Sequence, residues 1–264
     1  MSFYQDSYSV VFVIAQKYVK GYPCFIDYYV KNIQTFYPDN SLILIVDNNS
    51  TYIHEIQTLL KNTPNLMIIT NNSESKFELG AYKFGAKYII ENNIQSDYFV
   101  FTQDTYVIKN KFPFETLIEK NVLATPIVSF ENSEFYKPLV QRVLKKLNTP
   151  EDFHTLCWAN SFVLHYSVLP EFLSITQDIV TKTKEDACDC ERFLGAILYK
   201  LNSNKNYYLD GNGVSEVRPY DCWTVDLVNT PTSFYFMKKV TNKQEDVEDY
   251  LGPGILSWHK PCGF

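Results

Sequence analysis

Four short apolar runs, separated by stretches of helical periodicity and each breaking off in polar residues, constrain this chain more than any other feature. The first, Val10-Val11-Phe12-Val13-Ile14-Ala15, is β-branched and almost uninterrupted, as in a strand buried on both faces of a parallel sheet. Between Phe25 and Phe36, Phe25, Tyr28, Tyr29, Ile33 and Phe36 recur at helical spacing until Pro38-Asp39-Asn40 breaks the pattern. Leu42-Ile43-Leu44-Ile45-Val46 is the second strand, ending in Asp47-Asn48-Asn49-Ser50, residues that favour turns and helix caps. A helix through Ile56, Leu59 and Leu60 leads to a third strand, Leu66 to Thr70, and the polar loop Asn71-Asn72-Ser73-Glu74-Ser75. Phe77, Gly80, Ala81, Phe84 and Tyr88 mark the next helix, and Tyr98-Phe99-Val100-Phe101 the fourth strand, which runs into Thr102-Gln103-Asp104-Thr105. Such alternation predicts a right-handed, mostly parallel α/β sheet. Ligands of these sheets bind beyond the carboxyl ends of the strands, so Asp47, the 71–76 loop and Asp104 are expected to converge.

The second half is less regular. Leu123 to Val128 and Ser161 to His165 read as strands, and Lys137 to Leu147 as a helix. Glu185 to Leu201 reads as a helix with Phe193, Leu194, Ile197 and Leu198 inward. Gly211-Asn212-Gly213 and Gly252-Pro253-Gly254 are breakers. No internal repeat or low-complexity linker interrupts the 264 residues, so a single domain is expected.

Charge and cysteine usage remove several function classes. Lys and Arg number 24 against 30 Asp and Glu, a net charge of −6, and no basic block offers the footprint that nucleic-acid phosphates require. No apolar run is long enough to span a membrane. Six cysteines are too sparse for a disulfide scaffold, and the N-terminus lacks the features of a signal peptide, so a reducing, cytoplasmic location is expected. Cys188-x-Cys190 has no second pair at ligand spacing and reads as free thiols rather than a zinc site.

Two readings stand for each carboxylate at a strand end. Asp47, with Asn48, Asn49 and Ser50 beside it, can accept hydrogen bonds from a base or ribose or cap the following helix. Asp104, between Gln103 and Thr105, can close an Asx turn or hold a divalent cation that bridges two phosphates. Farther on, Glu185, Asp186, Asp189 and Glu191 cluster where a helix begins; acidic first turns are common, but one such carboxylate could act as a general base.

The order of Val46-Asp47-Asn48-Asn49-Ser50, then Glu78-Leu79-Gly80-Ala81 opening a helix, then Tyr98 to Phe101 leading into Gln103-Asp104, resembles the nucleotide-sugar half of GT-A-fold glycosyltransferases. Among these it looks most like the compact enzymes encoded by large DNA viruses. Cys157-Trp158-Ala159-Asn160-Ser161-Phe162 resembles the family's acceptor-side loop and strand, and Cys190 to Gly195 its acidic helix start. The resemblance covers most of the chain, with a donor half at about 1–110 and an acceptor half at about 120–264.

That resemblance implies transfer of a sugar from a nucleotide-sugar donor, with UDP expected, to a glycan or other hydroxyl acceptor, in the host cytoplasm for a viral enzyme. It implies that Asp47 and Asn49 contact the nucleoside, that Lys76 and Gly80 lie against the donor, and that Gln103 and Asp104 complete the donor site. The family's Asp-x-Asp metal motif falls on Thr102-Gln103-Asp104 and keeps only its second carboxylate; Asp104 and His259 would then hold Mn²⁺ or Mg²⁺. In a metal-independent variant, Lys76, Arg192 or Lys260 would have to offset the leaving diphosphate. Glu191 is the implied base of an inverting transfer, with Asp186 second. His154 and Trp258 are further candidates for lining the site, while His54 reads as solvent-facing and His165, at a strand end, as structural. Two other classes remain. A carbohydrate-binding member of the fold would fit the thinned metal motif. A sugar nucleotidyltransferase would need a glycine-rich loop after the first strand, where Ala15-Gln16-Lys17-Tyr18 stands instead.

Overall fold

A computed structural model describes residues 7–18, 26–38, 40–51, 53–104, 106–131, 138–150, 153, 155–157, 160–210, 213–216 and 237–239. The alternation of the first half becomes β1 (Val10–Gln16), α1 (Ile26–Phe36), β2 (Ser41–Asp47), α2 (Ile53–Leu59), β3 (Leu66–Thr70), α3 (Phe77–Glu91) and β4 (Tyr98–Gln103). It continues through β5 (Tyr106–Ile108), α4 (Phe114–Glu119), β6 (Ala124–Pro126), β7 (Ser129–Glu131), α5 (Pro138–Leu147) and β8 (Thr155–Cys157). The last elements are β9 (Phe162–His165), α6 (Leu169–Thr176), α7 (Lys184–Leu201), β10 (Tyr208–Asp210), β11 (Gly213–Ser215) and β12 (Met237–Lys239).

Six strands form the central sheet in the order β3-β2-β1-β4-β9-β6. β1 to β4 run parallel to one another, and β9 runs antiparallel to both β4 and β6. Every residue of β1 and β2 is buried because helices cover both faces, which explains why neither strand alternates apolar with polar. Side chains of β1 alternate between two cores: Val11 and Val13 face Leu79, Tyr82 and Ala86 of α3, whereas Val10, Phe12 and Ile14 face Ile26, Val30 and Ile33 of α1. On the first side, Tyr82 meets Phe101 and Phe162 edge-on at 5.5 and 5.4 Å, and those two rings stack at 4.9 Å. This aromatic group joins the antiparallel β9 to the parallel strands.

α7 approaches β8 through Gly195. A Cβ there would stand 2.1 Å from the Thr155 carbonyl oxygen and 2.9 Å from its carbon, both backbone atoms that cannot turn aside. Gly195→Ala is therefore expected to destabilise the protein by about 1–3 kcal/mol through overpacking, despite the better helix propensity of alanine. A lower urea midpoint at unchanged slope would register it; an unchanged or higher midpoint would mean that α7 can shift freely. Among the described residues, no helix is long and apolar enough to cross a membrane.

Candidate functional site

Register brings the strand ends into one row. Gln16 pairs with Asp47, Ala15 with Gln103, and Asp47 with Thr70, so the polar residues that end β1, β2, β3 and β4 share one edge of the sheet. Asp47 is fully buried there. One carboxylate oxygen accepts the Ser50 N–H at 2.7 Å, and the other accepts the Ser50 hydroxyl at 2.5 Å. With its amide oriented to suit these neighbours, Gln16 donates to Asp47 Oδ1 at 2.8 Å. Ser50 Oγ in turn accepts the Tyr18 N–H at 2.7 Å. Asp47 thus closes the turn after β2 rather than capping α2, which begins only at Ile53, and that turn holds Asn49 exposed at φ 62°. Asparagine tolerates this left-handed conformation better than most residues.

The 71–76 loop is tied at both ends. Asn71, fully buried, donates to Asn48 Oδ1 at 2.8 Å and to the Ser75 carbonyl at 2.9 Å, while Asn48 donates to the Phe77 carbonyl at 2.9 Å. Phe77 opens α3 at φ 57°, an unfavourable conformation for a bulky residue that these bonds and the packing around it hold in place. Gly80 lets the loop fold back over the helix, because a Cβ would lie 2.1 Å from the Ser75 carbonyl oxygen. Lys76 is half-buried, with its ammonium on the Asn71 carbonyl at 3.3 Å. Thr181 links the loop to the approach to α7. It accepts the Lys76 N–H at 2.7 Å through its carbonyl, donates its own N–H to Ser75 Oγ at 3.1 Å, and donates its hydroxyl to the Lys76 carbonyl at 2.5 Å. No sequence pattern pointed to Thr181, since its role is wholly tertiary. A cleft of about 600 Å³ opens beside this loop, between α3 and α6; Phe84, Lys83 and Leu173 line it, but Asp47 and Asp104 do not.

Asp104 follows β4, where its N–H donates to the Ala15 carbonyl at 3.1 Å and its carboxylate accepts the Lys17 N–H at 3.4 Å. Some of the residue reaches solvent, yet its carboxyl is set deep: burial, opposed by the Lys17 N–H, raises its pKa to about 7, with the charges of Glu78 and Asp47 adding to the rise. Gln103 is half-buried beside it. Glu78, in the first turn of α3, is also pushed up by burial, and Lys184 at the start of α7 partly counters this. Next in this polar seam is the wholly buried Tyr82 phenol, raised by burial and then by the charges of Glu78, Cys157 and Asp104. The Cys157 thiol is raised by burial and then by the charge of Glu191 of α7. Cys157, Cys188 and Cys190 are free; Cys188 is exposed and Cys190 buried, on different sides of α7.

Asp186 has a different neighbourhood. α7 starts at Lys184 with a capping box: Thr183 Oγ1 accepts the Asp186 N–H at 3.1 Å, and the Asp186 carboxylate accepts the N–H groups of Lys182 and Thr183, both at 2.8 Å. Those two bonds hold its pKa below the ordinary value. Five helical positions separate it from Glu191, about 140° around the axis, so the two carboxylates face different directions. Asp186→Ala is expected to cost about 1 kcal/mol of stability at neutral pH. Because the folded pKa is depressed, that contribution is present above the unfolded value of about 3.9 and fades as pH falls through the folded one. Thermal melts of both proteins should therefore converge in acid; a gap that persists there would deny the box this role.

Among the described residues, no three His, Cys, Asp or Glu side chains form a metal-binding group. His259, expected as a metal ligand, lies outside the described residues, as do His154, Trp158, Trp258 and Lys260. Of the other histidines, exposed His54 faces Gln57 at 3.2 Å, and His165 accepts the Ser167 N–H at 3.2 Å, a local cap.

No family model and no curated protein matches the chain. Among solved structures, it is similar to a mannosyltransferase from Pyrobaculum calidifontis in complex with GDP-Man and Mn²⁺, at 16% identity and a TM-score of 0.40 over 63% of this chain. The chain spans about half of that protein, 47% of its length. Core-mannan synthase A from Aspergillus fumigatus, in its Mn/GDP form, is 8% identical with a TM-score of 0.40, covering 76% of this chain and 72% of that one. A 4-diphosphocytidyl-2C-methyl-D-erythritol synthase from Anaerococcus prevotii is 11% identical with a TM-score of 0.43, covering 77% of this chain and 86% of that one.

Proposed function

We propose that this protein is a glycosyltransferase that moves a sugar from a nucleotide-sugar donor to a hydroxyl of a glycan acceptor, with inversion, in the cytoplasm. The observation that supports it is the shared edge of β1 to β4, where Asp47, the 71–76 loop and Asp104 meet at the end of the sheet that takes ligands in this architecture. The whole chain works as one domain, with the donor on residues of about 1–110 and the acceptor on about 120–264. In this reading Asn49 and the turn shaped by Asp47 meet a uridine nucleoside, Lys76 and the loop folded over Gly80 flank the diphosphate, and Gln103 borders the sugar.

Asp104 suits a divalent cation: a hard oxygen donor is set deep beside other negative charges, which a cation would relieve. Bound there, with His259 as a second ligand, Mn²⁺ or Mg²⁺ would offset the charge of the leaving diphosphate. The protein's own chemistry lies on the acceptor side. Glu191 takes the proton of the attacking hydroxyl, whose oxygen bonds to the anomeric carbon from one face. The bond to the diphosphate breaks on the other face, its electron pair leaving with the nucleotide. Asp186, engaged in the cap of α7, serves structure first.

Release of nucleoside diphosphate from a panel of UDP- and GDP-sugars tests the proposal. Slow release is expected without acceptor, falling at least a hundredfold in Glu191→Gln while Asp186→Ala keeps most of it. Saccharide binding indifferent to nucleotide, with no diphosphate released, would favour the second reading, a carbohydrate-binding module, which the missing carboxylate at Thr102 keeps in play.

A further inference from the structure

The cleft of about 600 Å³ between α3 and α6 stands apart from the strand edge and falls in the size range of pockets that hold small molecules. Phe84 of α3, Leu173 of α6 and Val180 beyond it give the cleft an apolar wall. Val180 is 38% exposed, one of three large hydrophobic residues left open to solvent among the described residues. Beside that wall stand two ammonium groups, on Lys83 and Lys87, one turn apart on the same face of α3.

Lys83 is the informative one. Its Nζ donates to the carbonyls of Gln177 and Ile179 at 3.1 and 2.8 Å, which braces the turn after α6. An ammonium has three N–H donors, so the brace leaves one. Both of these partners are neutral, and no carboxylate pairs with Lys83 among the described residues. Asp178, whose charge acts on it, is bonded to Lys146 at 3.3 Å instead. Burial of the ammonium lowers its pKa, the mark of a half-buried cation short of negative charge. The other charges on the cleft are paired at the surface, Lys87 with Glu91 at 3.6 Å and Glu74 with Lys182 at 3.3 Å. Exposed pairs of that kind are weak and yield readily to a competing ion.

We propose that this cleft binds a small amphipathic anion, a phosphate or carboxylate head on an apolar body, with the head on Lys83 and Lys87 and the body against Phe84, Leu173 and Val180. The head supplies the negative charge that Lys83 lacks and accepts its remaining N–H, while the body takes Val180 out of water. The site lies beside the 71–76 loop but uses none of the side chains assigned to the donor. It therefore goes beyond the glycosyltransferase reading and needs no nucleotide.

Calorimetric titration of octyl phosphate into the intact chain, below its micelle-forming concentration, tests the proposal against octanol, inorganic phosphate and UDP. Saturable binding of octyl phosphate is expected, at least about tenfold tighter than that of octanol or phosphate and undiminished by UDP. Lys83→Met keeps the length of the side chain without its charge and should weaken binding about tenfold. Val180→Ser, at an exposed position, should weaken it severalfold, and it serves where loss of the Lys83 brace unsettles the fold. Melting curves establish that each variant is folded. Octyl phosphate that does not bind, or that binds no tighter than octanol or phosphate, overturns the proposal, as does unchanged affinity in either folded variant. Displacement of octyl phosphate by UDP would make the cleft a nucleotide site and overturn it too. Association with vesicles of anionic lipid, without binding of soluble octyl phosphate, would mark a membrane-facing patch in place of a small-molecule site, with the same result.

Discussion

Asp104→Asn should make the protein more stable at pH 8 while abolishing metal-dependent nucleotide binding. The sign follows from linkage. With its folded pKa raised to about 7, Asp104 is better accommodated protonated, so the native state binds more protons than the unfolded one between about pH 3.9 and 7. Wild-type stability therefore falls as pH rises through that window, and above it the full penalty is present. Allowing for the part of Asp104 open to solvent, the asparagine variant should gain roughly 2 kcal/mol at pH 8 and nothing at pH 3.5. For a chain of this size that is about 4–8 °C in Tm, measured with a chelator present so that no metal compensates the charge. A variant that melts below wild type at pH 8 would show that the carboxylate stabilises the fold instead. Gaining stability while losing binding is the trade-off expected of a group kept for function at a cost to folding.

Asp47 predicts the opposite. Asp47→Ala leaves three buried donors, the Ser50 N–H, the Ser50 hydroxyl and the Gln16 amide, without their acceptor. At about 1–3 kcal/mol for each unsatisfied group, partly relieved by water, the expected loss is about 3–5 kcal/mol, or about 10 °C in Tm. Asp47→Asn retains one acceptor oxygen and should recover about half of that loss. An alanine variant within about 1 kcal/mol of wild type would mean that the turn after β2 is held by its backbone alone.

These contrasting effects follow from what the sequence could and could not convey. β1 to β4 were legible to within a residue or two, because burial on both faces leaves a continuous apolar run with a polar stop. The direction of β9 was not: Phe162 to His165 looks the same whether it runs with β4 or against it, and pairing alone decides. α6 went unpredicted; its Pro170 would break a helix interior but is tolerated in the first turn, where no amide bond is lost. At the site, Asp47 and Asp104 stood out as carboxylates after strands, and the topology brought them to one edge. Glu78 and Tyr82 did not stand out as a pair, since i and i+4 residues in α3 are ordinary helix neighbours until β4 is packed against them. The role of Asp186 had a visible signal, an acidic residue three positions after Thr183, which is the spacing of a capping box.

Calorimetric titration of UDP, GDP and their sugars into the protein, with and without Mn²⁺, tests the central claim most directly. A glycosyltransferase built on this strand edge should bind UDP in a Mn²⁺-dependent manner and lose that binding in Asp104→Ala. If no nucleotide binds under either condition, the edge is not a donor site and the account is contradicted.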